Sequence, residues 1–216
     1  GEINQKRRSA DKLNAQIDKL IAIEIEKARK RAEEEARRKA TAENGRNKKE
    51  GTNSKAPAKG QNMPSSKMGE FKIDSEDRRL SSVFEQNKGK LPIPITGAYM
   101  IVGHYGQYQV DGLRNVRLDN KGVDIRGKQG AQARAIFNGE VSAIFQYNGL
   151  SNVLIRHGSY ISVYCNLQSV LVHKGSKVNT RDVIGQVHTD KEGNTILHFQ
   201  LRKETAKLNP EIWLQR

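Results

Sequence analysis

Asp124, Cys165 and five histidines (His104, His157, His173, His188 and His198) are the residues whose types could hold a metal or move a proton. A mononuclear catalytic zinc takes three protein ligands, usually His or carboxylate, and leaves one position open for water. Asp124 in "NKGVDIRG" and His198 in "ILHFQL" are both flanked by apolar residues of strand type, and neighbouring strands could bring them onto one ion. Spacing alone does not make them meet, and a lone Asp and a lone His are ordinarily satisfied structural residues. The position four residues before Asp124 is Asn120, whose neutral amide oxygen is a poor zinc ligand beside imidazole or carboxylate. Cys165 alternates with Ile161 and Val163 and has no evident His–acid pair, so it reads as a small buried residue and not a nucleophile.

The elements that must position these residues fall into three regions. Residues 3–43 read as one helix of good helix formers without Pro, and residues 1–43 form the C-terminal end of a coiled coil. Ala10, Leu13, Ile17 and Leu20 follow 3–4 spacing, and the seam then shifts to Ile21, Ile25, Ala28, Ala32 and Ala36, a register discontinuity. From Glu24 to Lys39 the charges alternate in blocks, which equally suits a solvated helix held by i,i+4 ion pairs. Residues 44–69 are rich in Gly, Asn, Ser, Lys and Pro and read as a flexible linker. Residues 70–90 hold a short helix over 74–88, capped by Asp74 or Ser75, with Leu80, Val83 and Phe84 as its apolar side. Pro92 and Pro94 open an extended entry, and 91–216 read as short strands with Gly or Asn-Gly at the breaks, an antiparallel β domain with a half-covered sheet.

Charge and composition exclude some roles. The formal net charge is +14, with 17 Lys/Arg against 10 Asp/Glu in residues 1–60 and 21 against 14 in 61–216. No single stripe collects the excess, so a nucleic-acid groove is not expected, whereas an anionic wall or membrane face suits it. No apolar run approaches the roughly 18 residues that span a bilayer. The chain opens at Gly1 inside a helical pattern and reads as a segment of a longer protein, so the lack of a signal peptide carries no information.

From Phe84 to Leu214 the sequence resembles the LytM-type (lysostaphin-like) metallopeptidase domain, which cuts peptidoglycan cross-bridges. The resemblance runs in order through "FEQNKGKLPIPITG", "NKGVDIRGKQGAQARAIFNGEV", "GLSNVLIRHG", "YISVYCNL", "VHKGSKVNTRDVIGQV", "TILHFQLRK" and "LNPEIWL". The entry "KGKLPIPITG" behind a linker and coiled coil is more similar to the EnvC-like murein hydrolase activators than to the secreted peptidases. The resemblance implies a zinc held by an H-x-x-x-D motif and the second His of H-x-H, with two further histidines for the water and the oxyanion. At the ligand positions stand Asn120, Asp124 and His198; at the two catalytic positions stand Asn166 and Ile196.

Ile196 cannot exchange a proton or bond an oxyanion, and Asn166 cannot act as a base. The expectation is therefore a mainly β, degenerate LytM-type domain without catalytic residues and without zinc. By the same resemblance it binds and activates a peptidoglycan amidase in the periplasm or cell envelope, recruited by a division ABC-transporter complex through the coiled coil. Peptidoglycan is a further candidate partner. The emptied groove around Asn120, Asp124, Asn166, Ile196 and His198, with His104 as the one nearby histidine that could rescue a metal site, would be the docking surface. Residues 74–88, or the N-terminal helix folded back, are the candidates to cover it. The rival readings are a zinc endopeptidase with a non-standard site and a passive peptidoglycan-binding module. His157 reads as structural, His173 and His188 as exposed, and Trp213 as a buried C-terminal anchor.

Overall fold

The first helix, α1 (Glu2–Asn47), runs four residues beyond the expected stop and keeps Gly45 helical. A glycine there costs about 1 kcal/mol, which a terminal turn tolerates. The computed structural model describes residues 1–47 and 73–216. Most of the linker expectation over 44–69 therefore lies outside the described residues. The charged half of α1 is laced as its sequence suggests, with Arg29 on Glu26 at 2.5 Å, Arg38 on Glu34 at 2.5 Å and Lys39 on Glu35 at 2.7 Å. Each such pair is worth a few tenths of a kcal/mol.

The strands are β1 (Tyr99–Gly103), β2 (Gly106–Gln109), β3 (Arg117–Asn120), β4 (Val123–Gly127), β5 (Gln132–Arg134) and β6 (Gly139–Tyr147). They continue with β7 (Leu150–His157), β8 (Tyr160–Val170), β9 (Lys177–Val178), β10 (Val183–Val187), β11 (Thr195–Lys203) and β12 (Ala206–Leu208). The main sheet runs β1-β4-β11-β8-β7-β6-β9, with β10 joining β5 to β8, β12 beside β11, and β2–β3 a separate hairpin. Every pairing between these strands is antiparallel.

Period-two alternation sends the two faces to different partners. Leu197, Phe199 and Leu201 of β11 enter the larger core with Val123, Ile125, Leu91, Ile93, Ile95 and Trp213. The other face meets α1. Ile17 and Ile21 are fully buried against Leu154, Ile161, Val163 and Cys165, with Leu13, Leu20 and Ile25 packed beside them. This part of the helix thus lies folded back on the sheet of its own chain, the second of the two covers expected for the groove. The seam that widens at Leu20–Ile21 is a broad stripe suited to a sheet, where a strict coiled-coil seam is narrower.

The second helix, α2 (Ser75–Gln86), is capped by Asp74, whose side chain accepts from Asp77 N at 2.8 Å. Phe84 is its buried anchor, stacked on Tyr160 at 4.6 Å and on His157 at 5.1 Å, whereas Val83 is exposed. Gly89, at φ +80°, reverses the chain, and its N–H donates to Trp213 O at 2.8 Å, so the buried C-terminal tryptophan closes against the entry segment.

His157 is architectural. It is wholly buried, its Nδ1–H donates to Asn138 O at 2.7 Å, and its Nε2 lies 2.8 Å from Ser162 Oγ. Burial first of all, with Arg156 adding to it, pushes its pKa down to about 4. The unfolded chain therefore binds this proton from about pH 6.5 downward while the folded chain refuses it until about pH 4. Stability is complete above pH 6.5 and falls by about 1.4 kcal/mol per pH unit below it, roughly 3 kcal/mol in all. Urea unfolding at pH 7 and pH 5 should show this slope, and His157→Gln should flatten it.

Candidate functional site

Register brings the central pair together. His198 of β11 stands opposite Asp124 of β4 on one side and opposite Cys165 of β8 on the other. His198 Nδ1 donates to Asp124 Oδ1 at 2.8 Å. Asn120, at the end of β3, donates Nδ2–H to Asp124 Oδ2 at 3.0 Å, and its own oxygen accepts from Gly122 N at 3.1 Å. Two glycines make this approach possible. A Cβ on Gly122 would lie 2.1 Å from Phe199 O, and one on Gly103 would lie 2.3 Å from Asp124 Oδ2.

As arranged, the three vestigial positions do not fit a zinc ion. Asn120 turns its amine toward Asp124 and has its only acceptor engaged. Among the described residues, no cluster of three or more His, Cys, Asp or Glu could hold a metal ion. Asn166 stands on β8 in the left-handed conformation at φ +73°. Its backbone N–H donates to Asn152 Oδ1 at 3.3 Å and its carbonyl accepts from His188 N at 2.9 Å.

Asn120, Asp124, Asn166, Ile196 and His198 all line one cleft of about 1090 Å³, whose opposite wall is α1, from Lys6 to Asn14. A helix of the same chain thus lies across from these five positions. His104 does not join it. Its Nδ1 bonds Glu211 Oε1 at 2.8 Å, at the 3-10 turn Pro210–Ile212. His188, expected to be exposed, is half-buried and lines the cleft, while His173 is exposed.

The contacts that hold α1 come from residues that sequence reasoning did not select. Gln200 Nε2 donates to Asn14 Oδ1 at 2.8 Å, and Arg202 pairs with Asp18. Ser142 Oγ donates to Glu24 at 2.7 Å, and Arg156 Nε lies 3.1 Å from the same carboxylate. Tyr147 Oη donates to Ser9 O at 3.0 Å. One signal was present: the alternation of "TILHFQLRK" puts Ile196, His198, Gln200 and Arg202 on a single face.

Comparison with known proteins agrees with the LytM-type resemblance and with the mainly antiparallel β fold. Residues 119–210 match Peptidase family M23. The chain is 32% identical over 99 residues to the murein hydrolase activator EnvC of Escherichia coli, covering 44% of this chain and 24% of that protein. It is 29% identical over 102 residues to the lipoprotein NlpD/LppB homolog of Pseudomonas aeruginosa, covering 45% of this chain and 34% of that protein. It thus spans about a third or less of the length of these curated relatives. A chain in the structure of the SpoIIQ–SpoIIIAH pore-forming complex shares the fold, with a TM-score of 0.50 and 22% identity over 59% of this chain and 92% of that one.

Proposed function

Starting from the Peptidase family M23 match over residues 119–210, we propose that this chain is a non-catalytic regulator that binds and activates a peptidoglycan amidase. The observation that carries the reading is the covered groove. Positions where the family would place zinc and proton-transfer groups hold Asn120, Asn166 and Ile196, and α1 lies across them. Asn166 and Ile196 at the two catalytic positions, and an incomplete ligand set, favour binding over hydrolysis, so neither catalysis nor zinc is part of the reading.

That the Escherichia coli relative is a murein hydrolase activator supports the same role, and that the Pseudomonas aeruginosa relative is a lipoprotein supports an envelope location. Among the described residues no helix is long and apolar enough to cross a membrane. Of the two candidate covers, α1 is the one over the cleft, whereas α2 anchors Phe84 in the larger core. In this proposal the groove is the amidase's docking surface, α1 holds it closed, and recruitment to the division transporter acts through a longer coiled coil that draws α1 away.

The test is dye release from labelled sacculi by a cognate amidase. The chain as it stands should leave amidase activity at its basal level, and Ile17→Asp with Ile21→Asp should raise it at least tenfold. No stimulation of any cognate amidase by the opened chain sinks the proposal. Muropeptide release by the chain alone, with stoichiometric zinc, would establish the endopeptidase instead. Retention on sacculi without stimulation would establish a passive wall-binding module.

A further inference from the structure

Two arginines that do not line the cleft stand together where β5 meets the turn before β10. Arg134 of β5 pairs across the ladder with Val183 of β10. Its neighbours Ala133 and Ala135 are wholly buried in the larger core, so alternation turns the Arg134 side chain to the outer face. There its Nε–H donates to Ile93 O at 2.8 Å, which fixes the guanidinium and leaves both terminal nitrogens uncommitted among the described residues. Arg181 is held to the same place by the backbone. Its N–H donates to Ala135 O at 2.8 Å, and Ala135 N–H donates to Asp182 O at 2.8 Å.

This arrangement is unfavourable in two ways. Arg181 is the third residue of a turn over 179–182, closed by Asp182 N donating to Asn179 O at 3.0 Å. At φ +71° it occupies a position that such turns give to Gly or Asn. Its charge is also unwelcome: burial first, and then Arg181, lower the Arg134 pKa. Asp182, the nearest acid in sequence, turns its carboxylate back to Asn179 N at 2.8 Å. Among the described residues no carboxylate comes within ion-pair distance of either arginine. Backbone strain of this kind persists where the site has a use for it. A phosphate group between the two forks would reverse the repulsion, since each guanidinium can give it two parallel N–H bonds.

The same outer face carries an apolar prominence. Leu171, just past β8, donates its N–H to Ile184 O at 2.8 Å. It therefore lies across β10 from Arg134, about 10 Å away at the usual strand spacing. Val170 and Val172 on either side pack against the larger core, which sends Leu171 outward, 64% exposed. Half-buried Val183 lies between Leu171 and Arg134. In the turn beyond, exposed Lys174 stands beside Lys27 of α1 and lowers its pKa, with burial adding to the fall. Cations thus crowd this end of the domain on both sides of the leucine.

We propose that Arg134 and Arg181 form a binding site for the phosphate of an anionic phospholipid, and that Leu171 enters the bilayer surface beside it. The occupant is a bilayer because the two arginines and the leucine share one outward sheet face, and because the chain carries a formal charge of +14. The site is separate from the cleft and does not rest on the reading of the cleft as a docking surface.

The experiment sediments the full chain with vesicles of phosphatidylcholine, with and without phosphatidylglycerol. The chain should pellet with the mixed vesicles and stay in solution with phosphatidylcholine alone. Arg181→Gly should weaken binding at least fivefold and yet resist urea at least as well as wild type, because glycine suits φ +71°. Arg134→Gln and Leu171→Ser should each weaken binding at least threefold. Arg114→Gln, which removes one charge from the exposed turn between β2 and β3, should leave it within a factor of two. Equal weakening by Arg114→Gln and Arg181→Gly would mean that net charge alone drives the binding, and overturns the proposal. Undiminished binding by Arg181→Gly overturns it as well, as does equal binding to the two kinds of vesicle. Release by millimolar inorganic phosphate at constant ionic strength would make a free phosphate the occupant and overturn the bilayer assignment. No amidase or groove variant is present, so a failed activation assay and a failed vesicle assay point to different errors.

Discussion

Replacing Ile17 and Ile21 with aspartate is expected to turn Cys165 from a protected thiol into a freely alkylated one. Cys165 is wholly buried in the cluster that these two isoleucines cover. Burial pushes its thiol pKa well above the ordinary range, and the nearby charge of Asp124 adds to the rise. Both lack of access and lack of thiolate therefore protect it while α1 is docked. Each fully buried isoleucine contributes about 1.5–3 kcal/mol, so the pair contributes about 3–6 kcal/mol to docking. The double aspartate removes that term and would bring two carboxylates onto an apolar surface without partners. The polar contacts of Asn14, Asp18 and Glu24 remain but cannot offset the loss, since net hydrogen-bond contributions are each about 1 kcal/mol. The docked population should fall by at least about a hundredfold. Labelling with a maleimide, followed by mass spectrometry, should proceed to completion in the variant within the time that leaves wild type untouched. Equal rates in the two chains would mean that α1 does not cover this face in solution.

The β domain was legible because its strands obey simple patterning. "TILHFQLRK" alternates without a break, and Leu197, Phe199 and Leu201 enter the core as that alternation requires. The cap at Asp74 and the buried Phe84 were legible for the same local reason. Val83 was misassigned because a helix packed by one edge buries a narrower stripe than its apolar residues suggest. The destination of α1 stayed open in the sequence between a partner helix and the groove of its own chain. A 3–4 seam satisfies a partner helix or a sheet equally well, and only the tertiary fold brings Ile17 to Val163.

The groove residues were found through resemblance, since Asn120, Asn166 and Ile196 carry no chemical signal of their own. Gln200 and Arg202 escaped notice because their partners, Asn14 and Asp18, are 186 and 184 residues away. His104 misled for the opposite reason. It is near the site in sequence, but Glu211 takes the imidazole.

The same distance effect hides the charge cluster that joins α1 and α2 to the sheet, and Arg156 is its centre. Its Nε lies 3.1 Å from Glu24 of α1, one terminal nitrogen pairs with Asp77 of α2, and the other lies 3.3 Å from Glu140 of β6. Arg31 of α1 bridges Glu24 at 2.9 Å and Asp77 at 3.5 Å. The side chains of Glu24 and Asp77 are only 7% and 4% exposed, so neither carboxylate can turn to water if its cation is removed.

Arg156→Met keeps the aliphatic volume and deletes the charge. It should cost about 3–5 kcal/mol at pH 7, the range for breaking a buried pair from one side. Burial already raises the Asp77 pKa, against the opposing pull of Arg156 and Arg31. Removing Arg156 raises it further, and a carboxyl whose folded pKa exceeds its unfolded value destabilises the fold above that pKa and is relieved as the pH falls through it. The deficit of the variant relative to wild type should therefore shrink between pH 7 and pH 5. The His157 titration is present in both chains and largely cancels in the difference. Urea unfolding of both proteins at the two pH values decides the matter. A deficit that does not change with pH would mean that the cluster is stabilised by packing and not by charge. A deficit that shrinks would show that α1 and α2 are held to one guanidinium, so that loosening either helix weakens the grip on the other.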